Sequence, residues 1–115
     1  MNVQKLMNMI QAAELTQGMD LTRPVHSGYV CDLLSWVMAR GEADAAWITV
    51  QTHMNVVAVA SLHDMACIIL PENISMEEEP LSKAMEEGIP VLSSPLSAYE
   101  ICGRMAQAGI PSPAR

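Results

Sequence analysis

Residues 47–62 read WITVQTHMNVVAVASL. A short apolar run gives way to polar groups at Thr49, Gln51, Thr52, His53 and Asn55, and a second apolar run follows at once. In an α/β domain this order places polar side chains and free backbone N–H groups at the carboxyl end of a strand, where such folds bind small ligands. The near-continuous apolar character of Ala45 to Val50 predicts a strand buried on both faces, and hence a parallel sheet. Thr52 or His53 then opens a helix. Valine is a poor helix former, so a strand over Asn55 to Ala60 is the competing reading. Ala58 and Ala60 permit close packing and the segment has the length of an α crossover, which favours helix.

The same alternation extends to both sides. Val3, Leu6, Met7 and Ile10 have the spacing of an amphipathic helix with Asn2 as its cap, ending near Ala13. Glu14 to Gln17 is expected as a short edge strand, and Val25 to Cys31 as a strand with one constrained glycine, Gly28. Asp32 or Ser35 can open a short helix that stops at Gly41. Ala66 to Leu70 reads as the next strand, ended by Pro71. Pro80 fits a first helical position behind Glu77, Glu78 and Glu79, and Gly88 followed by Pro90 stops that helix. Val91 and Leu92 form a short strand closing at Ser93 and Ser94. Ser97 and Glu100 have capping-box spacing for a last helix that ends at Gly109. The resulting order is α, weak β, β, α, β, α, β, α, β, α. It predicts one α/β domain over residues 1–115, a layered structure with a mostly parallel sheet of about four or five strands, and a loose tail at 112–115.

Composition narrows the function classes. The 115 residues suffice for one modest core. Thirteen acidic against six basic side chains give a formal charge of −7, which argues against nucleic acid and anionic membrane surfaces as partners. The longest apolar run, Met65 to Leu70, is far below the roughly 20 residues that span a bilayer. Three widely spaced cysteines, Cys31, Cys67 and Cys102, form neither a disulfide framework nor a CxxC site, and a cytoplasmic location with reduced thiols is expected.

The cluster Thr49, Gln51, Thr52, His53 and Asn55 suits a phosphate, a carboxylate or a nucleotide edge. Gln51 and Asn55 can donate and accept, and His53 adds charge only when protonated. Capping by Thr52 with no ligand is the competing reading. Gly28, which can admit a ligand closely, and Ser94, ahead of a capped helix, are further ligand-binding candidates. Asp32 takes part only if its strand ends on the same side as Thr52; otherwise it caps the next helix. No P-loop, Rossmann fingerprint or nucleophile elbow is present. His63 with Cys67, and His26 with Cys31, lack a four-ligand zinc pattern, so no metal site is expected. The ten methionines read as adaptable packing. Tyr29, Trp36 and Trp47 are candidate interface residues, the tryptophans serving either an interface or the core, and a homodimer is expected.

The segments SGYVCDLLS (27–35), WITVQTHMNVVAVASL (47–62), GIPVLSS (88–94) and LSAYEI (96–101) resemble the stand-alone members of the DRTGG-domain family. The QTHMN stretch is the most specific part. Where the family carries its five-residue signature, this chain has Leu21-Thr22-Arg23-Pro24-Val25 leading to Ser27-Gly28; Arg23 and Gly28 are kept, the named string is not. The resemblance implies an α/β domain similar to the N-terminal domain of HPr kinase/phosphorylase. Such domains also occur beside CBS domains and phosphotransacetylase regions as accessory units. Small relatives accompany hydrogenase or redox-signalling components, which implies a signalling or redox protein as partner.

The favoured function is therefore a non-catalytic regulatory or ligand-sensing module that binds an anionic metabolite or nucleotide as a homodimer; no particular cofactor is indicated. The alternative is a structural protein-interaction domain. A third reading, acid–base catalysis by His53, requires Asp32 or a serine to converge on it.

Overall fold

Two strands carry the core. β3 (Ala45–Ile48) and β4 (Cys67–Leu70) are buried at every position. Both lie in the middle of a five-stranded sheet of order β1-β5-β4-β3-β2, where β1 is Ala13–Glu14, β2 is Ser27–Val30 and β5 is Val91–Ser93. β2, β3, β4 and β5 are parallel, and β1 joins β5 antiparallel at the edge. The computed structural model describes residues 1–114, and among them five helices cover the sheet: α1 (Val3–Met9), α2 (Leu34–Arg40), α3 (Met54–Leu62), α4 (Glu78–Glu87) and α5 (Ala98–Gln107). The order of elements matches the expected one throughout.

Alternate strand residues face opposite layers. Ala46, Ile48, Cys67, Ile69 and Leu92 pack with Val3 and Leu6 of α1, Ile10 just after it, and Ile101 and Met105 of α5. Trp47, Ile68, Leu70 and Val91 pack on the other side with Val37 of α2, Val56, Val57, Val59 and Ala60 of α3, and Ala84 of α4. The three crossovers joining β2 through β5 therefore share one face, and the strands run in chain order. The parallel part has no reversal of winding, so a ligand site cannot arise at a switch point of the doubly wound kind.

Trp47 is fully buried in this core, with Nε1–H donating to the Cys31 carbonyl at 2.9 Å. Of its two expected roles, this burial within the chain matches the core one. The helix reading of residues 54–62 holds although α3 is valine-rich. Four buried side chains, Val56, Val57, Val59 and Ala60, offset the small propensity cost.

Several boundaries shift. α1 stops at Met9, ahead of Gln11, which takes a left-handed conformation (φ 57°). Asn2 caps it as expected, accepting from Lys5 N–H at 2.8 Å. α4 begins at Glu78, so Pro80 occupies the third helical position; its missing N–H is tolerated there because first-turn donors have no partner within the helix. Gly88, at φ 71°, ends α4, and Ser97 caps α5 through Glu100 N–H at 3.2 Å. Residues 112–114 have no regular structure, although Ala114 N–H donates to the Glu42 carboxylate at 3.0 Å. The remainder of the expected tail, Arg115, lies outside the described residues. No helix among the described residues is long and apolar enough to cross a membrane.

Candidate functional site

The carboxyl ends of β2 and β3 adjoin because the strands are parallel and in register, Val30 opposite Ile48. Asp32 and Thr49 follow directly. The buried Thr49 hydroxyl donates to Asp32 Oδ1 at 2.8 Å, and the same oxygen accepts Val50 N–H at 2.9 Å. Gln51 N–H donates back to Thr49 Oγ1 at 3.1 Å, and Gln51 Nε2 donates to the Asp32 carbonyl at 3.0 Å. Asp32 thus meets the condition set for it, since its strand ends on the side of Thr52. It does not cap α2: Leu33 occupies that position without a side-chain hydrogen bond.

The turn fixed in this way leads into α3. The cap of α3 is His53, not Thr52. The imidazole Nδ1 accepts Asn55 N–H at 3.2 Å, which places the proton of the neutral ring on Nε2.

Val50, Gln51, Thr52, His53 and Met54 line one side of an open hollow of about 590 Å³; Glu77, Glu78, Glu79 and Pro80 line the other. Two helix N-termini, those of α3 and α4, meet there. Each directs a partial positive charge outward, although at α3 the Asn55 and Val56 N–H groups are already bonded to His53, and Pro80 in the first turn of α4 has no N–H. The glutamates complement the α4 terminus, and all three are exposed. They also give the rim a negative charge that opposes a bare polyanion. The described residues contain no group of three or more His, Cys, Asp or Glu side chains arranged to hold a metal ion.

The structure assembles only part of the expected cluster. Gln51, Thr52 and His53 share the hollow, and Thr49 lies beneath it as a structural support. Asn55 instead lines a separate groove with Leu34, Ser35, Met38, Ala58 and Val59. Ser94 is wholly buried at the end of β5; its hydroxyl donates to the Ile10 carbonyl at 2.7 Å and accepts Leu96 N–H at 3.1 Å, which leaves it a structural role. Gly28 is the second residue of β2 and lines two other hollows, not this one. A Cβ there would lie 2.7 Å from Met105 Cε, so the glycine admits α5, not a ligand at the hollow. Trp36 is half-exposed under the Arg40 guanidinium, 4.7 Å from the ring centroid. Tyr29 is partly buried, and that burial, more than the neighbouring Cys31, raises its phenol above the usual value.

Arg23, in the signature-like segment, lies at the opposite end of the sheet. It pairs with Asp44 at 3.4 Å and Asp64 at 2.9 Å, and also donates to the Asp64 carbonyl. These contacts tie the approach to β2 to the loops that enter β3 and β4. The sequence reading missed Glu77–Glu79 as rim residues. It assigned them only to the start of α4, and no periodicity marks which helix start will face Gln51.

No protein-family model matches the chain, and no curated protein sequence matches it. Among solved structures the fold is similar to that of the CBS and DRTGG domains of the regulatory region of Clostridium perfringens pyrophosphatase, complexed with the activator diadenosine tetraphosphate. The TM-score is 0.69 at 10% identity, over 95% of this chain and 47% of that one. The chain thus spans about half the length of this neighbour. The likeness is one of fold and supports the DRTGG-like reading. It lends no support to the resemblance to the kinase domain.

Proposed function

We propose that this chain is a non-catalytic regulatory module that senses a nucleotide-class ligand in the hollow between α3 and α4. The observation that carries the reading is the meeting of two helix N-termini with Gln51, Thr52 and His53 in one concave site at the end of a rigid parallel sheet. The regulatory region of the pyrophosphatase neighbour is complexed with a nucleotide activator, which favours this ligand class. The glutamate rim selects the mode. Ribose hydroxyls and base amino groups can donate to Glu77–Glu79, while phosphate oxygens fit the positive dipole end of α3, whose Asn55 and Val56 N–H groups stay bonded to His53. Asp32 and His53 are engaged with Thr49, Val50 and Asn55, which suits a preformed binding loop better than proton transfer. In a cytoplasmic setting, occupancy would be reported to a second copy of the chain or to a signalling or redox protein.

Titration calorimetry with diadenosine tetraphosphate, ATP and AMP, each with and without Mg²⁺, tests this. At least one nucleotide is expected to bind, and Gln51→Ala and Thr52→Val should weaken it while leaving the fold intact. No binding by any of them, or binding indifferent to both variants, would overturn the reading.

A second reading, a protein-interaction domain, is favoured by one observation. The exposed apolar side chains gather on and beside α2.

A further inference from the structure

Five of the eight large apolar side chains most exposed to solvent, Val30, Leu33, Trp36, Met38 and Leu62, lie on β2, α2, α3 or the β2–α2 loop. α3 reads MNVVAVASL and contains no charged residue. A helix that is apolar all round is expected to be covered on all sides, yet Ala58 and Leu62 face outward. α2 and α3 pack side by side, linked near their carboxyl ends by His63 Nε2 and the Met38 carbonyl at 2.8 Å. Between them runs a groove of about 370 Å³, bounded by Leu34 and Met38 on one wall and by Asn55, Ala58 and Val59 on the other.

We infer that this α2–α3 face is covered by the same face of a second copy of the chain, related by a two-fold axis. The charge distribution selects that occupant. The chain carries 13 acidic residues and a formal charge of −7, so two copies repel wherever carboxylates meet. Neither α2 nor α3 has an acidic residue, and the sole charge on the pair is Arg40 at the end of α2. A two-fold axis sets the face against itself and therefore demands no complementary charge. Met38 and Leu62 are exposed on the same face as the groove lined by Ser35, Asn55 and Ala58. A foreign partner selected by this acidic protein would be expected to read its carboxylates, and this face offers none. The groove and the strand-end hollow share no lining residue, so dimerisation is expected of the ligand-free protein.

Sedimentation velocity over a micromolar to submillimolar range tests the pairing, the monomer being 12.5 kDa. The wild type should sediment as a dimer. Ala58→Glu and Met38→Glu each place carboxylates across the axis, and each should weaken the dimer about tenfold or more with an unchanged far-UV spectrum. Tyr99→Glu, at an exposed site on α5, should leave it intact. A wild type that stays monomeric throughout would overturn the inference. So would a dimer that tolerates both glutamates, or one lost only on mutation of Tyr99. Should Met38→Glu unfold the chain, Ala58→Glu decides alone. Nucleotide binding with a monomeric protein would reject the dimer face and leave the ligand reading standing.

Discussion

The Asp32 carboxylate, at the end of β2, accepts the hydroxyl of Thr49 at the end of β3 at a distance of 2.8 Å. The two residues are 17 apart in the chain, and the bond exists because parallel pairing brings the ends of their strands together. Through Val50 N–H and the Gln51 side chain, the same residue holds the loop that enters the hollow. Asp32 also precedes Leu33 and α2 directly, so a displacement of Gln51 by a ligand bears on the helix that carries Trp36 and Met38.

Removing Asp32 should therefore loosen the site as well as the fold. Asp32→Ala leaves the buried Thr49 hydroxyl and Val50 N–H without their acceptor, a loss of about 1–3 kcal/mol. Asp32→Asn keeps one acceptor oxygen and should cost less. Urea unfolding gives the comparison. Equal midpoints and slopes for wild type and Asp32→Ala would show that the loop does not depend on this carboxylate.

His53 caps α3, and Thr52 beside it does not. His53→Ala should destabilise the protein by about 1 kcal/mol, and His53→Asn should restore most of this because asparagine is a good cap. Thr52→Val should have little effect on stability, since among the described residues no hydrogen bond ends on its hydroxyl. Thermal denaturation of the three variants distinguishes the residues. A larger loss at Thr52 than at His53 would reverse the assignment.

Most of the fold was legible because its signals are local. The apolar runs at Ala45–Ile48 and Cys67–Leu70 marked the buried strands. Ser97 with Glu100, and Gly88 before Pro90, marked helix ends whose hydrogen bonds form within a few residues. The site was legible only in part. Gln51 and His53 stood out as polar interruptions, yet their companions depend on tertiary neighbours. Asp32 reaches Thr49 only once β2 lies beside β3, and Glu77–Glu79 reach the hollow only once α4 packs against α3. Thr52 looked like the cap because hydroxyls are common there, whereas imidazole capping depends on a ring position that sequence spacing does not encode. Gln11 ended α1 in a left-handed turn with no glycine to announce it.

Gly41 needs to be glycine for space, not for backbone freedom. Its φ of −60° is ordinary, but an added Cβ would collide with the ring of His63, whose Nε2 is held by the Met38 carbonyl. Gly41→Ala should cost about 1–3 kcal/mol by overpacking. In a His63→Ala background the same change should cost far less, because the obstructing ring is gone. The double-mutant cycle should therefore show a coupling of about 1 kcal/mol or more. Additive effects would mean that the α2–β3 turn yields without disturbing His63.

Alkaline pH should test the burial of the β4 thiol. Cys67 is fully enclosed among residues facing α1 and α5, and this burial raises its pKa from 9.0 to about 12. In the unfolded chain the thiol ionises near its ordinary value, while in the folded chain it keeps its proton. Below the unfolded value both states hold the proton, and Cys67 adds no pH dependence. Between that value and about 12, unfolding releases a proton, so stability falls as pH rises. The slope from this one group approaches ~1.4 kcal/mol per pH unit once the unfolded thiol is fully ionised. Cys67→Ala will lower stability at neutral pH through lost packing, but it should also flatten the alkaline decline. The two effects separate because packing loss is independent of pH. Urea unfolding of both proteins from neutral pH to pH 10.5 or so measures the difference. Parallel curves for wild type and Cys67→Ala would show that the thiol ionises in the folded protein as readily as in the unfolded one, which the closed packing of Cys67 around β4 does not allow.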